Sequence, residues 1–524
     1  MLVPFDDFLY MPTERLVSAS RGELHGTMPS LAADTVFPGP GRRHAARSLH
    51  AFPIPLPLLF MALLGLFLSG CAGRVSTEEI RSGISYGEIA PLRERLEKSF
   101  ADYDLDLVIA LNLARAYQME GKWSQSIAIY NHALAILEEY EGRAVISLRN
   151  LAGDAGTYLL SRGALGYYGT GYERSLLHTF NAFNYMMLGD FTGAAVEMRK
   201  MEHRQDLWLL EMETRINQYL EKKSELPGHT ALPAGYSMRE LLESDEVRAL
   251  MNNYQEPFSY ALSSIFNRLA DNPAYAEVSM RRAAALEPAS AGMFQAGWGK
   301  GGGTPALPAV PPLPPPLSGG ADADDAPAEQ EVTVIVLRGL APALRVEHLR
   351  IPFPYVGYIT VDLPAFTPPM RDQRAVTIRC AGNGIGLVPL LFTERLAYRT
   401  LRDEVSMETT SAFSRAMVRA SASAGTRAVL ASNENTEPYA ELGGLLVTVL
   451  LDLISYSISD SVRNWEMLPN HGSIGMGRVP RGETLSISLG PLTREIPLPV
   501  TARGAIVIIS QLPNSNLRVD HVLY

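Results

Sequence analysis

Two stretches of this chain carry one pattern in one phase. Asn112 to Ile136 reads NLARAYQMEGKWSQSIAIYNHALAI, and Phe180 to Met201 reads FNAFNYMMLGDFTGAAVEMRKM. In the first, Leu113, Ala114 and Tyr117 lie on one helical run, Gly121 breaks it, Trp123 follows, and Ser126, Tyr130, Ala133 and Leu134 lie on the next. In the second, Ala182, Tyr185, Gly189, Phe191 and Ala194 take the matching places, and Gly121 and Gly189 stand 68 residues apart. Small residues let paired helices approach, and aromatics fill the gaps between pairs. One such hairpin cannot bury its apolar face alone, so copies must stack. The pattern therefore predicts a stack of helical hairpins.

The pattern resembles the tetratricopeptide repeat, whose unit is about 34 residues, so the two glycines are two periods apart. Tyr117, Gly121, Trp123, Tyr130, Tyr185, Gly189, Phe191 and Ala194 fall at its packing positions. A weaker third copy covers Pro257 to Pro288, with Ala276, Met280, Ala283 and Pro288 on its second helix and the turn altered to DNPAY. Glu141 to Gly171 matches poorly. The resemblance implies a groove that binds peptide, with Arg115, Gln118 and Met119 at groove-type positions. The second copy is rich in polar groups: Glu173, Asn181 and Asn184 on the incoming helix, Glu197 and Arg199 on the outgoing one. Glu173, Leu177, Asn181 and Tyr185 form an i, i+4 row on one helix face. A buried polar network and a partner-binding surface both account for them.

Composition changes abruptly after residue 290. Residues 291–330 are glycine-rich, then proline-rich, then acidic, which predicts a linker without a core. Strand-like runs follow at 332–339, 358–363 and 375–382, then helical patterns at 392–424 and 441–462. SIGMGRVP, ETLSISLG, REIPLPV and GAIVIISQLP read as strands, and PRGE reads as a hairpin turn. The expected fold class is α + (α+β): a helical-repeat domain at 71–290, the linker at 291–330, and a β-containing domain with two inserted helices at 331–524.

Residues 1–70 are excluded from the fold as a targeting segment. Arg42, Arg43 and Arg47 precede the uncharged run AFPIPLPLLFMALLGLFLSG at 51–70, and Cys71 follows it. Basic residues, an apolar stretch and small residues before a cut site make a secretory signal. Leu68-Ser69-Gly70-Cys71 resembles the lipobox of bacterial lipoproteins, which implies a lipid on the Cys71 sulfur and an acylated amine after cleavage. Pro53, Pro55 and Pro57 break the start of the run, which disfavours a retained spanning helix. The acidic residues of 1–40 suit a signal poorly, so the start is expected nearer Met28. Ala72 after the cysteine favours the outer membrane under the sorting rule of that class.

The 524 residues carry 46 basic and 56 acidic side chains, a net charge of −10. That balance opposes sequence-independent nucleic-acid binding. Of two cysteines, Cys71 is assigned to lipid and Cys380 is read as a buried strand residue, which leaves none for a disulfide or a cysteine cluster. No phosphate-cradling loop, HExxH or nucleophile elbow occurs, and GNGIG and GSIGMG read as turns. No catalytic residue, metal ligand or cofactor is assigned.

ERSLLHTFNAFNYMMLGDFTGAAVEMRK (173–200) and SVRNWEMLPNHGSIGMGRVPRGETLSI (461–487) resemble an uncharacterised family of bacterial tetratricopeptide-containing envelope lipoproteins. Trp465, Leu468-Pro469 and Pro480 to Gly482 carry the second segment's likeness. The resemblance implies a periplasm-facing envelope location and no established reaction. The expected function is a lipid-anchored protein-protein interaction or assembly factor whose partner is an envelope protein or peptide. The alternative is an envelope enzyme acting on peptidoglycan or surface polysaccharide through carboxylates.

Overall fold

Ser76 starts the first helix, α1 (Thr77–Ser85), with a reciprocal cap. Its hydroxyl accepts from Glu79 N at 3.2 Å and its own N–H donates to the Glu79 carboxylate at 2.9 Å. Helices α2 (Ile89–Asp102), α3 (Leu107–Met119) and α4 (Trp123–Asn150) follow, then α5 (Gly171–Met187) and α6 (Phe191–Lys222). Two single turns, α7 (Arg239–Leu242) and α8 (Asp245–Arg248), lead to α9 (Pro257–Leu269), α10 (Pro273–Leu286) and α11 (Ala289–Trp298). The computed structural model describes residues 74–150, 167, 169–222, 232–250, 255–298, 329–353, 357–372, 374–405, 463–512 and 517–524, with isolated positions between 409 and 432. These all fall in one compact unit, Ser69–Tyr524.

Three hairpins, α3–α4, α5–α6 and α9–α10, turn in the same way. The second residue after the first helix is left-handed in each: Gly121 at φ 76°, Gly189 at φ 79°, Asp271 at φ 57°. Each is followed by an N–H returned to a carbonyl five residues back: Lys122 to Tyr117, Asp190 to Tyr185 and Asn272 to Asn267, at 2.8–2.9 Å. The altered DNPAY turn thus keeps the backbone of the glycine turns.

The strands form a five-stranded sheet in the order β11-β10-β1-β7-β6, a four-stranded sheet β5-β4-β8-β9, and the hairpin β2-β3. The large sheet contains β1 (Glu329–Arg338), β6 (Val388–Phe392), β7 (His471–Pro480), β10 (Gly504–Gln511) and β11 (Leu517–Leu523). The smaller sheet contains β4 (Val376–Cys380), β5 (Asn383–Gly384), β8 (Thr484–Leu489) and β9 (Leu492–Pro497); the hairpin pairs β2 (Leu344–Phe353) with β3 (Gly357–Phe366). β1 and β10 pair in parallel, with Val332 opposite Ala505 and Val336 opposite Ile509. Both faces of this pair are buried, as parallel strands require. Val332, Val334, Val336, Ala505, Val507 and Ile509 pack on the small sheet, against Ile378, Cys380, Leu485 and Ile487. Ile335, Leu337, Ile506 and Ile508 belong instead to the core that extends through the helices. The mixed α/β fold is therefore layered as helices, sheet, sheet.

Several sequence expectations change. PRGE does not close a hairpin: β7 pairs with β1 and β6, while β8 pairs with β4 and β9, so the turn at 480–483 hands the chain from one sheet to the other. The tight hairpin is β8–β9, through Gly490-Pro491. Residues 291–298, assigned to the linker, continue α11, because Met293 and Phe294 bury against the core. Gly297 makes this possible, since a Cβ there would stand 2.7 Å from Met476. β2, β5, β6 and β11 were not foreseen. Of the expected inserted helices, residues 393–405 are helical; 441–462 lie outside the described residues, as do 299–328.

Candidate functional site

The space between hairpins α3–α4 and α5–α6 is filled by this chain's own residues 463–470. Trp465 is fully buried there. Its ring meets Tyr130 of α4 edge-on at 6.0 Å and Phe180 of α5 at 5.7 Å. Backbone recognition accompanies the ring. Glu173 accepts from Trp465 N at 2.9 Å, and Asn112 accepts from Met467 N at 3.1 Å while donating to Glu466 at 2.6 Å. Thr77 of α1 donates to the other Glu466 oxygen at 2.9 Å. Arg463 Nη2 bonds Asp106 Oδ2 at 2.5 Å, and Asp106 also caps α3 by accepting from Val108 N and Ile109 N. Arg74 lies 3.6 Å from the same Asp106 oxygen and 4.6 Å over the Tyr103 ring.

Glu173 has a double role. One oxygen holds the Trp465 amide, and the other accepts from Thr170 N and Oγ at 2.7 and 2.6 Å to close the α5 capping box. Burial raises the Glu466 carboxyl above its ordinary value, opposed by Arg463 and by its bonds to Asn112 and Thr77. The far end of the segment is fastened to the sheet side: Thr393 donates to Pro469 O at 2.7 Å, and Glu394 bonds Asn470 and Arg371.

The polar residues singled out in sequence are buried around this segment and between the helices, except Arg199, which is half-buried and lies 5.4 Å over the Tyr275 ring. Gln118 donates to Phe180 O and to Asn184 Oδ1, both at 2.7 Å, and Asn184 donates to Ser126 at 2.8 Å. Arg115 donates to Gln118 and stacks 4.6 Å over Phe180. Asn181 reaches Asn131 at 3.3 Å. Glu197 sits apart, between His178 at 2.8 Å and Lys200 at 2.9 Å. Burial lowers the His178 pKa, so the neutral imidazole donates from Nδ1 to the Glu197 carboxylate. Met119 is buried as well. Of the packing positions, Tyr130 and Ala194 are fully buried, Tyr117 and Tyr185 are half-buried against the core, and Phe191 meets Tyr524 edge-on at 5.8 Å. Trp123 opens α4. Leu68, Ser69, Gly70 and Cys71 lie outside the described residues.

Sequence reasoning singled out Trp465 and Pro469 but not their place in the helical layer. Asn112, Asp106, Thr77, Arg463 and Glu466 were missed. The readable signal was the run Arg-Asn-Trp-Glu, a tryptophan with three strongly polar neighbours. Such a residue is buried only where each neighbour finds a partner.

Among the described residues, no group of three or more His, Cys, Asp or Glu side chains is placed to hold a metal ion. No helix among them is long and apolar enough to cross a membrane. No family model, curated protein or solved structure matches the chain.

Proposed function

We propose that this chain is a bacterial envelope lipoprotein, lipidated on Cys71, whose tetratricopeptide-like hairpins and attached β layers serve as a protein-protein interaction or assembly factor. The observation that carries the reading is the lipobox-like Leu68-Ser69-Gly70-Cys71, three residues ahead of Arg74, which is bound to Asp106 and Tyr103. Three residues reach at most about 11 Å. A lipid on Cys71 therefore holds the body against the bilayer surface, with the outer membrane favoured by Ala72. Two or more acyl chains suffice for a stable anchor, at about 0.8 kcal/mol per buried methylene.

The partner is an envelope protein or peptide met on an outer face of the helices, because the chain's own Trp465 segment fills the space between the first two hairpins. Leu207 and Leu210 on α6, and Tyr275 and Val278 on α10, are exposed apolar residues suited to that role. Glu173 and Glu466 are committed to holding the 463–470 segment on the helices, Glu173 through the Trp465 amide and Glu466 through Asn112 and Thr77, which favours an interaction role over carboxylate chemistry on polysaccharide.

Two measurements test the reading. Cys71→Ser should abolish incorporation of labelled palmitate, and a variant that still takes the label refutes the anchor. Affinity purification from detergent-solubilised envelopes should recover one protein in stoichiometric amount from the wild type and lose it with Leu207→Glu/Leu210→Glu. Turnover of isolated peptidoglycan without any recovered partner would instead establish the enzyme.

A further inference from the structure

Leu105 is 69% exposed in the tight turn between α2 and α3. Asp106 N closes that turn by donating to Tyr103 O at 3.0 Å. Contacts from outside fix it further. His132 Nε2 donates to Asp104 O at 2.7 Å, and Arg463 holds the Asp106 carboxylate, which itself caps α3. Arg74 lies 3.6 Å from the same carboxylate and 4.6 Å over the Tyr103 ring. Drawing Leu105 inward would break these contacts.

A single exposed leucine is ordinary. This one is singled out by where the chain enters the fold. Cys71 stands three residues ahead of Arg74, so their Cα atoms are at most about 11 Å apart. Given the lipid proposed for Cys71, on which this rests, Arg74 and the turn it grips form the end of the body nearest the bilayer. Tyr86, also strongly exposed, lies beyond the other end of the nine-residue α1, about 14 Å along its axis. Tyr103 and Arg74 suit the headgroup level, where amphipathic side chains place an apolar body and a polar tip. Asp102 and Asp104 are exposed beside Leu105, while Arg463 is nearly buried and spent on Asp106. The turn therefore offers no surplus of positive charge, and a strongly anionic surface would repel it.

We propose that Leu105, backed by Tyr103 and Arg74, dips into the headgroup layer of a zwitterionic phospholipid bilayer. The acyl chains supply the affinity, and the turn sets how the helical layer is seated on the membrane.

The test uses the full-length lipidated chain carrying Leu105→Cys, labelled with an environment-sensitive fluorophore. It is reconstituted into phosphatidylcholine vesicles that contain lipid with a doxyl group just below the headgroup. The native thiols do not compete, since the anchor occupies Cys71 and Cys380 is buried. Leu188→Cys is the reference. Leu188 is 51% exposed beside Gly189, and Gln118 bonds Asn184 near that turn. It thus lies at the opposite end of the hairpins, about 20 Å away along the 13-residue α3. The Leu105 probe should emit further to the blue and lose intensity to the doxyl lipid, while the Leu188 probe stays aqueous and unquenched. An aqueous Leu105 probe overturns the proposal, and so does equal quenching at both sites, which would show the fluorophore alone seeking lipid. Palmitate labelling of the same sample separates this from the anchor. An aqueous probe on a palmitoylated chain refutes the seating alone, and a chain without palmitate refutes anchor and seating together. Phosphatidylglycerol added at low salt should weaken the quenching, whereas stronger quenching overturns the zwitterionic assignment.

Discussion

Asp271 is exposed and left-handed at φ 57°, where the two equivalent turns use Gly121 and Gly189. Aspartate tolerates this region better than most residues, yet its Cβ still strains against the carbonyl. Asp271→Gly should therefore raise stability by roughly 0.5 kcal/mol, after the entropy cost of glycine. Gly121→Ala should lower it by more than 1 kcal/mol, since the strain is joined by a clash 2.7 Å from Arg518. Urea midpoints of the two variants check both signs. Glu256 supplies a pH dependence. Its carboxyl caps α9 by accepting from Ser259 N, and burial pushes it up to about 8. The folded form thus holds a proton that the unfolded chain releases near 4.5, so stability is fullest below that value and falls as pH rises to about 8. The loss from pH 5 to pH 8 should reach a few kcal/mol at about 1.4 kcal/mol per unit. Glu256→Gln keeps an accepting oxygen and should flatten the profile; an unchanged slope would show that another group sets it.

The docked 463–470 segment is the element on which the helical layer depends. Trp465→Ala should cost roughly 3–5 kcal/mol, as large aromatic truncations in a core do. Asn112→Ala should cost about 1–3 kcal/mol, because it strands the Met467 amide and one oxygen of Glu466, whose other oxygen keeps Thr77. Denaturant unfolding gives both values, and hydrogen exchange at the Trp465 amide should speed up in Glu173→Ala. This is also where the sequence stopped being legible. The hairpins could be read because Gly121 and Gly189 mark their turns locally and their helices repeat small and aromatic positions. Strands β1, β3, β4, β7, β8, β9 and β10 were foreseen from their β-branched runs. β2 was not, since LRVEHLRIPF alternates too weakly. Partnership across hundreds of residues leaves no local trace: nothing near Asn112 or Glu173 indicates that their acceptors wait for Met467 and Trp465. Polar groups in the second hairpin were visible, but whether they faced a foreign chain or this one depended on that distant segment. The two-sheet exchange at PRGE escaped for the same reason, because a turn motif fixes direction locally and not which edge the next strand joins.

Across the whole molecule one hydrophobic cluster runs from Val75 in front of α1 to Ile508 on β10. Arg268 of α9 pairs with Glu331 of β1 at 2.9 Å, and Arg81 of α1 donates to Ala341 O at 2.8 Å, so polar contacts also cross between helices and sheet. The described body should unfold as a unit. Far-UV circular dichroism and tryptophan fluorescence should give coincident transitions, whereas a helical phase separated from a β phase would contradict the shared core.

The burial of Trp465 also sets a timetable. Its amide binds Glu173, which lies 292 residues earlier in the chain. At a synthesis rate of about 5–20 residues per second, the hairpins spend roughly 15–60 s without the ring that belongs between Tyr130 and Phe180. β10, an inner strand of the large sheet between β11 and β1, arrives later still. A nascent chain of this design presents sticky aromatic surface throughout that interval, and a premature stop before residue 465 would make the exposure permanent. Truncated products should therefore aggregate or be degraded as partly folded helical intermediates, even though most of their hairpin residues are already in place.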